Sequence, residues 1–391
     1  MNAEPRRAII NDMRKIARAI IAIAAVWAIA SPCVCAERAE PAAVAQKDSF
    51  IFARSTENQE ENLWQWREGA KLQPVTSGKG VGRFVLANNP PAVVYQVPMG
   101  EPNPYQRYGL TYKSLAVGDA EVSDPIVIDK PENNLSDLNQ IVSPDGLRAV
   151  FTRVDLEKFG TADYDAGLWQ CKLGAAQKKT ELFWKSSQKH PGMIHVPVAF
   201  SPNGKYLAAQ RTPFSAGDIG DSLIIDTRTK TVYRIFTRAR VELWHPKSDK
   251  ILASRIDASS GRRIFFIGTL DVSDWKPVTP EGINDGAPAF SPDGKKLAVH
   301  SRNEYGDSLG IWLVDVPSGS RKRLTALGGL PKWSADGKKV FFRRRDDSTE
   351  WVPEIWVIDA TGGEPKMLVK NGDRMRVVSS PSESGTDEGG R

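Results

Sequence analysis

The sequence is poor in the residues that carry most site chemistry. Only 3 of its 391 residues are cysteine and 4 are histidine. Cys33 and Cys35 stand near the start and Cys171 stands alone. Neither a disulfide framework nor a paired C-x-x-C metal or redox site is therefore encoded. No apolar run reaches the ~20 residues that a membrane-spanning helix takes. Charge is interspersed, and 53 Lys+Arg against 47 Asp+Glu leave a formal +6, which argues against nucleic acid as a partner. A G-x-S-x-G nucleophile elbow, a P-loop and a G-x-G-x-x-G fingerprint in a strand–helix setting are all missing, which excludes an appended α/β hydrolase and the common nucleotide-binding domains. What remains is an ordinary globular composition, with 40% hydrophobic residues, 32 Gly and 26 Pro, neither collagen-like nor disordered.

The first segment reads as an address. Residues 19–30 form an uncharged apolar run of 12, preceded by Arg14, Lys15 and Arg18. A basic flank, a short apolar core and small residues make a secretory signal. Val34 and Ala36 suit cleavage after Ala36, and Met13 would begin a more compact signal. A retained amphipathic anchor is the alternative. Pro32 and Val34 precede the two cysteines where a lipid attachment site needs a small residue. Removing residues 1–36 takes five Lys/Arg and two Asp/Glu, and the charge falls from +6 to +3. Only Cys171 then remains, so no intramolecular disulfide can form. The expectation is a periplasmic or secreted protein, not stably inserted in a membrane after cleavage and held by its own core. Residues 37–47 would be a linker and 382–391, rich in Ser, Gly, Asp and Glu, a disordered tail.

Between them one phrase recurs: an apolar residue, Ser-Pro-Asp-Gly or a variant, one or two basic residues, then an apolar run. It reads Val142-Ser143-Pro144-Asp145-Gly146, Phe200-Ser201-Pro202-Asn203-Gly204, Phe290-Ser291-Pro292-Asp293-Gly294 and Trp333-Ser334-Ala335-Asp336-Gly337. Weaker copies are Trp244-His245-Pro246 and Asn89-Pro90-Pro91. Measured at 90, 144, 202, 246, 292 and 335, the steps are 54, 58, 44, 46 and 43 residues. Pro sets φ for the first corner of a turn, Asp bonds the local backbone, and Gly takes the positive φ. Apolar runs on both sides make each phrase a β-hairpin. A turn explains Pro, Asp and Gly together, whereas a carboxylate array for metal explains only Asp. A second phrase follows, an apolar strand ending in Asp and a polar turn: Leu223–Asp226, Ile311–Asp315 and Ile355–Asp359. Trp312 and Trp356, inside it, are expected to pack between neighbouring sheets.

Two hairpins per period of 40–50 residues make four-stranded propeller blades. The repeats resemble TolB-like, WD40-like β-propeller repeats of exported bacterial proteins over roughly residues 48–382. Residues 37–47 are too few for the mixed α/β domain that precedes the propeller in TolB, so the resemblance carries no TolB role. The fold expected is all-β, a single domain over 48–381. Six turn phrases give six blades. Phe50–Ala53, Leu63–Trp66 and Leu72–Thr76 supply three strands of another, and Arg374–Pro381 resembles its missing first strand. Seven blades closed by the two termini are expected, with six as the alternative.

Hairpin turns share one face of such a ring, and the longer connections share the other: 97–108, 124–137, 154–166, 186–195, 212–221, 302–308 and 345–353. Long loops on a rigid scaffold make this the expected binding face. His190, His195, His245 and His300 form no tight metal spacing, and Asp163, Asp165, Asp218 and Asp221 lack the far Glu of a calcium loop. No catalytic, cofactor or metal residue is assigned, and Cys171 reads as a small buried hydrophobe. The function expected is non-catalytic binding of a protein, peptide or envelope component. The alternative is a polysaccharide lyase or glycosidase acting at the channel mouth.

Overall fold

The computed structural model describes residues 48–378, apart from 56–59, 79, 89, 101–106, 116–123, 133, 159–160, 162–164, 174–179, 187–192, 214–219, 248, 272–273 and 346–351. The proposed signal and linker (1–36 and 37–47) and the tail (382–391) lie outside these residues. The described chain is all-β, in seven sheets built as four-stranded antiparallel blades, one of which gains a fifth strand. Blade 2 holds Phe84–Asn88, Pro91–Met99, Arg107–Ser114 and Ile126–Asp129; blade 3 holds Leu135–Val142, Arg148–Asp155, Leu168–Lys172 and Glu181–Trp184. Blades 4 to 7 begin with Met193–Phe200, Arg240–Trp244, Asn284–Phe290 and Gly329–Trp333. In blade 1 the C-terminal strand Asp373–Val377 lies beside Ser49–Ser55, pairing Phe50 with Val377 and Ile51 with Arg376. The ring closes with seven blades, and its first and last strands share one sheet.

First strands of consecutive blades pack against one another from blade 2 through blade 7 and on to Asp373–Val377. First strands therefore surround the central channel, and fourth strands form the rim. The core lies between blades. Ala298, Ile311 and Leu313 of blade 6 meet Val340, Phe342 and Ile358 of blade 7, with Trp356 against them. Trp312 packs in the same way between blades 5 and 6. Both tryptophans fill inter-sheet space, as expected.

The recurring phrase builds turns. In Phe290-Ser291-Pro292-Asp293-Gly294 the Ser291 hydroxyl donates to Asp293 Oδ1 (2.6 Å) and accepts from the Lys296 amide (2.9 Å). Asp293 accepts from the Lys295 amide (3.0 Å), and Gly294 supplies a φ of +75°. The other three full copies repeat this pattern. Successive turns also touch: a Cβ on Gly337 would sit 3.3 Å from Pro292. His245 replaces Ser in its copy and packs on Gly294, accepting from the Lys247 amide at Nδ1 (3.1 Å) and donating from Nε2 to the Gly294 carbonyl (3.1 Å). A Cβ on Gly294 would lie 2.2 Å from that imidazole, whereas one on Gly204 (φ +69°) meets nothing nearer than 3.9 Å. Gly204→Ala is thus expected to cost about 1 kcal/mol for the left-handed backbone alone. Gly294→Ala should cost about 2–3 kcal/mol, because overpacking adds to that strain. Urea midpoints of the two variants check the difference; equal values would mean that His245 does not pin the turn.

Two features were not expected. Blade 4 carries a fifth strand, Asp165–Ala166, pairing parallel with Met193–Phe200 at its inner edge. First strands also carry bulges, where Asn139, Ala287, Leu330 and Arg374 take φ of +56°, +48°, +54° and +51°.

Candidate functional site

Each first strand starts on the long-connection face and ends at a turn on the other. Leu330 and Arg374 sit early in these strands, toward the long-connection face, and Ala287 and Asn139 sit near the middle. Ala and Leu pay for that backbone with ~1 kcal/mol each and gain no local hydrogen bond from their side chains, and strain of this kind marks places that the surrounding fold over-determines.

Ala287, Leu330 and Arg374 all line one cavity of about 260 Å³, together with Lys332, Met375 and Arg376. Its charge is almost all of one sign. Lys332 and Arg376 lie on first strands of adjacent blades, and no carboxylate stands within ion-pair distance of either among the described residues. Burial, and then repulsion from Arg376, push the Lys332 ammonium down to about 8. Burial followed by the Arg83 and Arg374 charges lowers Arg376. Arg83 is lowered by burial and then by the Arg240 charge, on the first strand three blades away. Among the described residues the Arg83 guanidinium donates to a neutral partner, Asn139 Oδ1 at 3.1 Å.

Carboxylates in and around the mouth are already paired, Asp373 with Arg343 inside the cavity itself. Asp373 accepts from Arg343 Nη1 (2.8 and 2.9 Å) and from the Arg374 amide (2.7 Å), and Asp285 is gripped by Arg321 at 2.8 and 3.0 Å. Glu61 pairs with Arg374. Glu242 lies 3.5 Å from Arg240 and 3.9 Å from Arg263.

The histidines do not converge. His190 lies outside the described residues. His195, expected in a loop, belongs to Met193–Phe200 and is fully buried, with Nδ1 3.0 Å from the Ala166 carbonyl and its ring edge-on to Trp184. His245 locks a turn on the opposite face. His300 reaches the long-connection face, where Nε2 meets Ser308 Oγ at 3.0 Å and a second cavity of about 330 Å³ holds it with Asp285 and Arg302. Among the described residues no three His, Cys, Asp or Glu side chains group to hold a metal. Asp163 and Asp218 lie outside the described residues, and of Asp165 only the strand is described. Asp221 is structural: it pairs with Arg211 and accepts from the Arg238 amide at 3.0 Å. Burial pushes the Cys171 thiol up to about 12, where it is inert.

Of the expected long connections, 302–308 is described throughout, whereas 97–108 and 124–137 begin or end inside strands. Asn303 stiffens this loop by accepting from the Tyr305 and Asp307 amides (3.0 and 2.8 Å), and it presents Tyr305 with 82% of its surface exposed. The cationic mouth was hidden in the sequence because its members are scattered between residues 83 and 376, in no motif.

No protein-family model matches the chain, and no curated protein matches it. Solved structures do. TolB from Acinetobacter baumannii is similar at 13% identity and a TM-score of 0.48, over 85% of this chain and 83% of that one. A puromycin hydrolase is similar at 12% identity and a TM-score of 0.61, over 85% of this chain and 53% of its own. The fold is a seven-bladed β-propeller, shared with the propeller part of that hydrolase. An oligogalacturonate lyase in complex with manganese shares the propeller too, at 12% identity and a TM-score of 0.54, over 83% of this chain and 86% of that one. Identities this low are a likeness of fold, and this propeller's function rests on its own residues. Among the described residues no helix is long and apolar enough to cross a membrane.

Proposed function

We propose that this is an exported, non-catalytic propeller that binds a protein, peptide or envelope component through its long-connection face. The observation that carries this reading is the state of the mouth carboxylates. Asp285, Asp373, Glu61 and Glu242 are each held in an ion pair, so none of the four stands ready as an acid, base or metal ligand. What the face offers instead is recognition surface: a cationic mouth and a rigid loop displaying Tyr305. Exposed tyrosines on stiff loops supply large contact area at low entropic cost.

Capture of a partner from the exported fraction, with the full chain as bait, tests this. Tyr305→Ala is expected to weaken capture at least ~10-fold, the scale of one interface hot spot, with an unchanged melting temperature. Turnover of an acidic oligosaccharide, with no partner captured, would replace this reading with the lyase one.

A further inference from the structure

We propose that the channel mouth is a binding site for a multiply charged small oxyanion, a phosphate or polycarboxylate group, held by Lys332 and Arg376 with Arg83 opposite. The proposal deepens the binding reading and rests on it, naming the chemistry that the face recognises.

Three observations point the same way. First, Lys332 and Arg376 are enclosed cations without a carboxylate partner among the described residues. Both are half-buried, and a half-buried charge without a counter-charge is costly to keep. The chain pairs its other enclosed cations with care: Arg153, Arg321 and Arg343 each meet an aspartate. Second, the cations converge from separate strands instead of following one another along a surface. Lys332, Arg374 and Arg376 line one cavity, and Arg374 Nη1 donates to the Gly82 carbonyl (2.9 Å), which brings Arg83 beside it; the Arg83 charge accordingly lowers Arg376. A ring of donors around a hollow suits a compact anion better than an extended one. Third, the strained residues Ala287, Leu330 and Arg374 line the same cavity, whose volume of about 260 Å³ is that of a small molecule. Two guanidinium forks and an ammonium provide the bidentate and point-charge donors that phosphate and carboxylate oxygens accept from.

The test is thermal unfolding and calorimetric titration of the full chain with pyrophosphate, citrate and, as a charge control, chloride at matched ionic strength. Pyrophosphate or citrate should raise the melting temperature of the wild type by about 3 °C or more at saturating concentration, and chloride should not. The stronger of the two identifies the oxyanion. Lys332→Met and Arg376→Gln should each weaken anion binding at least ~10-fold, the scale of one lost charge-assisted bond. Without anion both variants should melt no lower than the wild type, because each removes an unpaired charge. Arg376→Lys should retain measurable binding. Variants that melt well below the wild type without anion would overturn the proposal, since the cations would then be structural. So would absence of any shift or heat with both oxyanions. Partner capture indifferent to both substitutions would overturn the anion site and leave the binding reading standing. Anion binding with no partner recovered would leave the site and sink that reading.

Discussion

A chain ended after Lys370 is expected to lose its cooperative unfolding transition or to melt at least ~15 °C lower, and to self-associate. The strand Asp373–Val377 supplies the inner edge of blade 1, and Val378 adds an amide bond to the Ser49 carbonyl (3.0 Å). Met375 fills a cluster with Phe50, Phe52, Phe341, Ile355 and Val369. Losing its burial alone costs about 1.5–3 kcal/mol. Truncation also strips Arg343 of Asp373 and Glu61 of Arg374, and it opens the edge of Ser49–Ser55, a ready template for pairing with another chain. Together these approach the 5–15 kcal/mol that a typical domain has to lose. Scanning calorimetry and light scattering read the outcome. A synthetic peptide spanning 371–381 should restore the transition by re-adding the strand in trans. A truncated chain that melts within a few degrees of the full one would show that closure contributes little.

The second large effect is expected in blade 3. Asp137 is fully buried on the first strand and receives both oxygens' bonds from Arg153, Nε to Oδ1 at 2.7 Å and Nη2 to Oδ2 at 3.0 Å. Arg153 also contacts Asp129 of blade 2, donates to Thr180 Oγ1 (3.2 Å) and lies over the Trp169 ring at 4.9 Å. Burial raises the Asp137 pKa and lowers that of Arg153, so each charge is tolerated only beside the other. Arg153→Met strands Asp137 and should cost about 3–5 kcal/mol near neutral pH.

The pH dependence has a definite sign. Alone, Asp137 keeps a folded-state pKa above its unfolded value of ~3.9, so the folded state binds the extra proton. Stability of Arg153→Met is then greatest below about pH 4 and falls as pH rises through the folded pKa. Urea midpoints at pH 5 and pH 8.5 should show a larger deficit at pH 8.5. Asp137→Leu combined with Arg153→Met should recover most of it. An equal deficit at both pH values would mean that Arg153 acts by packing over Trp169 and not by charge.

Legibility in the sequence followed the range of the interaction. Each hairpin turn is local, since Ser291, Asp293 and Gly294 satisfy one another within six residues. Pattern reading therefore located the turns, the blade period and the C-terminal strand that Phe50–Ala53 recruits. His245 was readable as a turn-flanking residue for the same reason. His195 was misplaced into a loop because its strand begins only at Met193, where Asp165–Ala166 joins it from the preceding connection. That pairing spans 28 residues and leaves no periodic trace.

By itself the sequence determined the class, the blade period and the turn chemistry, because each is written in contiguous residues with a strict geometric demand; it pointed to seven-fold closure, which the pairing of Phe50 with Val377 completes. Scarcity of Cys and His already told against disulfide and multi-histidine sites. Only the tertiary structure decided which charges are paired. Arg343 finds Asp373 30 positions away, whereas Lys332 and Arg376, no different in sequence, line one cavity without a carboxylate partner among the described residues. Closing the ring brings first strands from all seven blades to one axis, so side chains nearly 300 residues apart, such as Arg83 and Arg376, come to share a field. Charge composition cannot foresee that, because the energy of an ion depends on its neighbours in space and on the water it has lost.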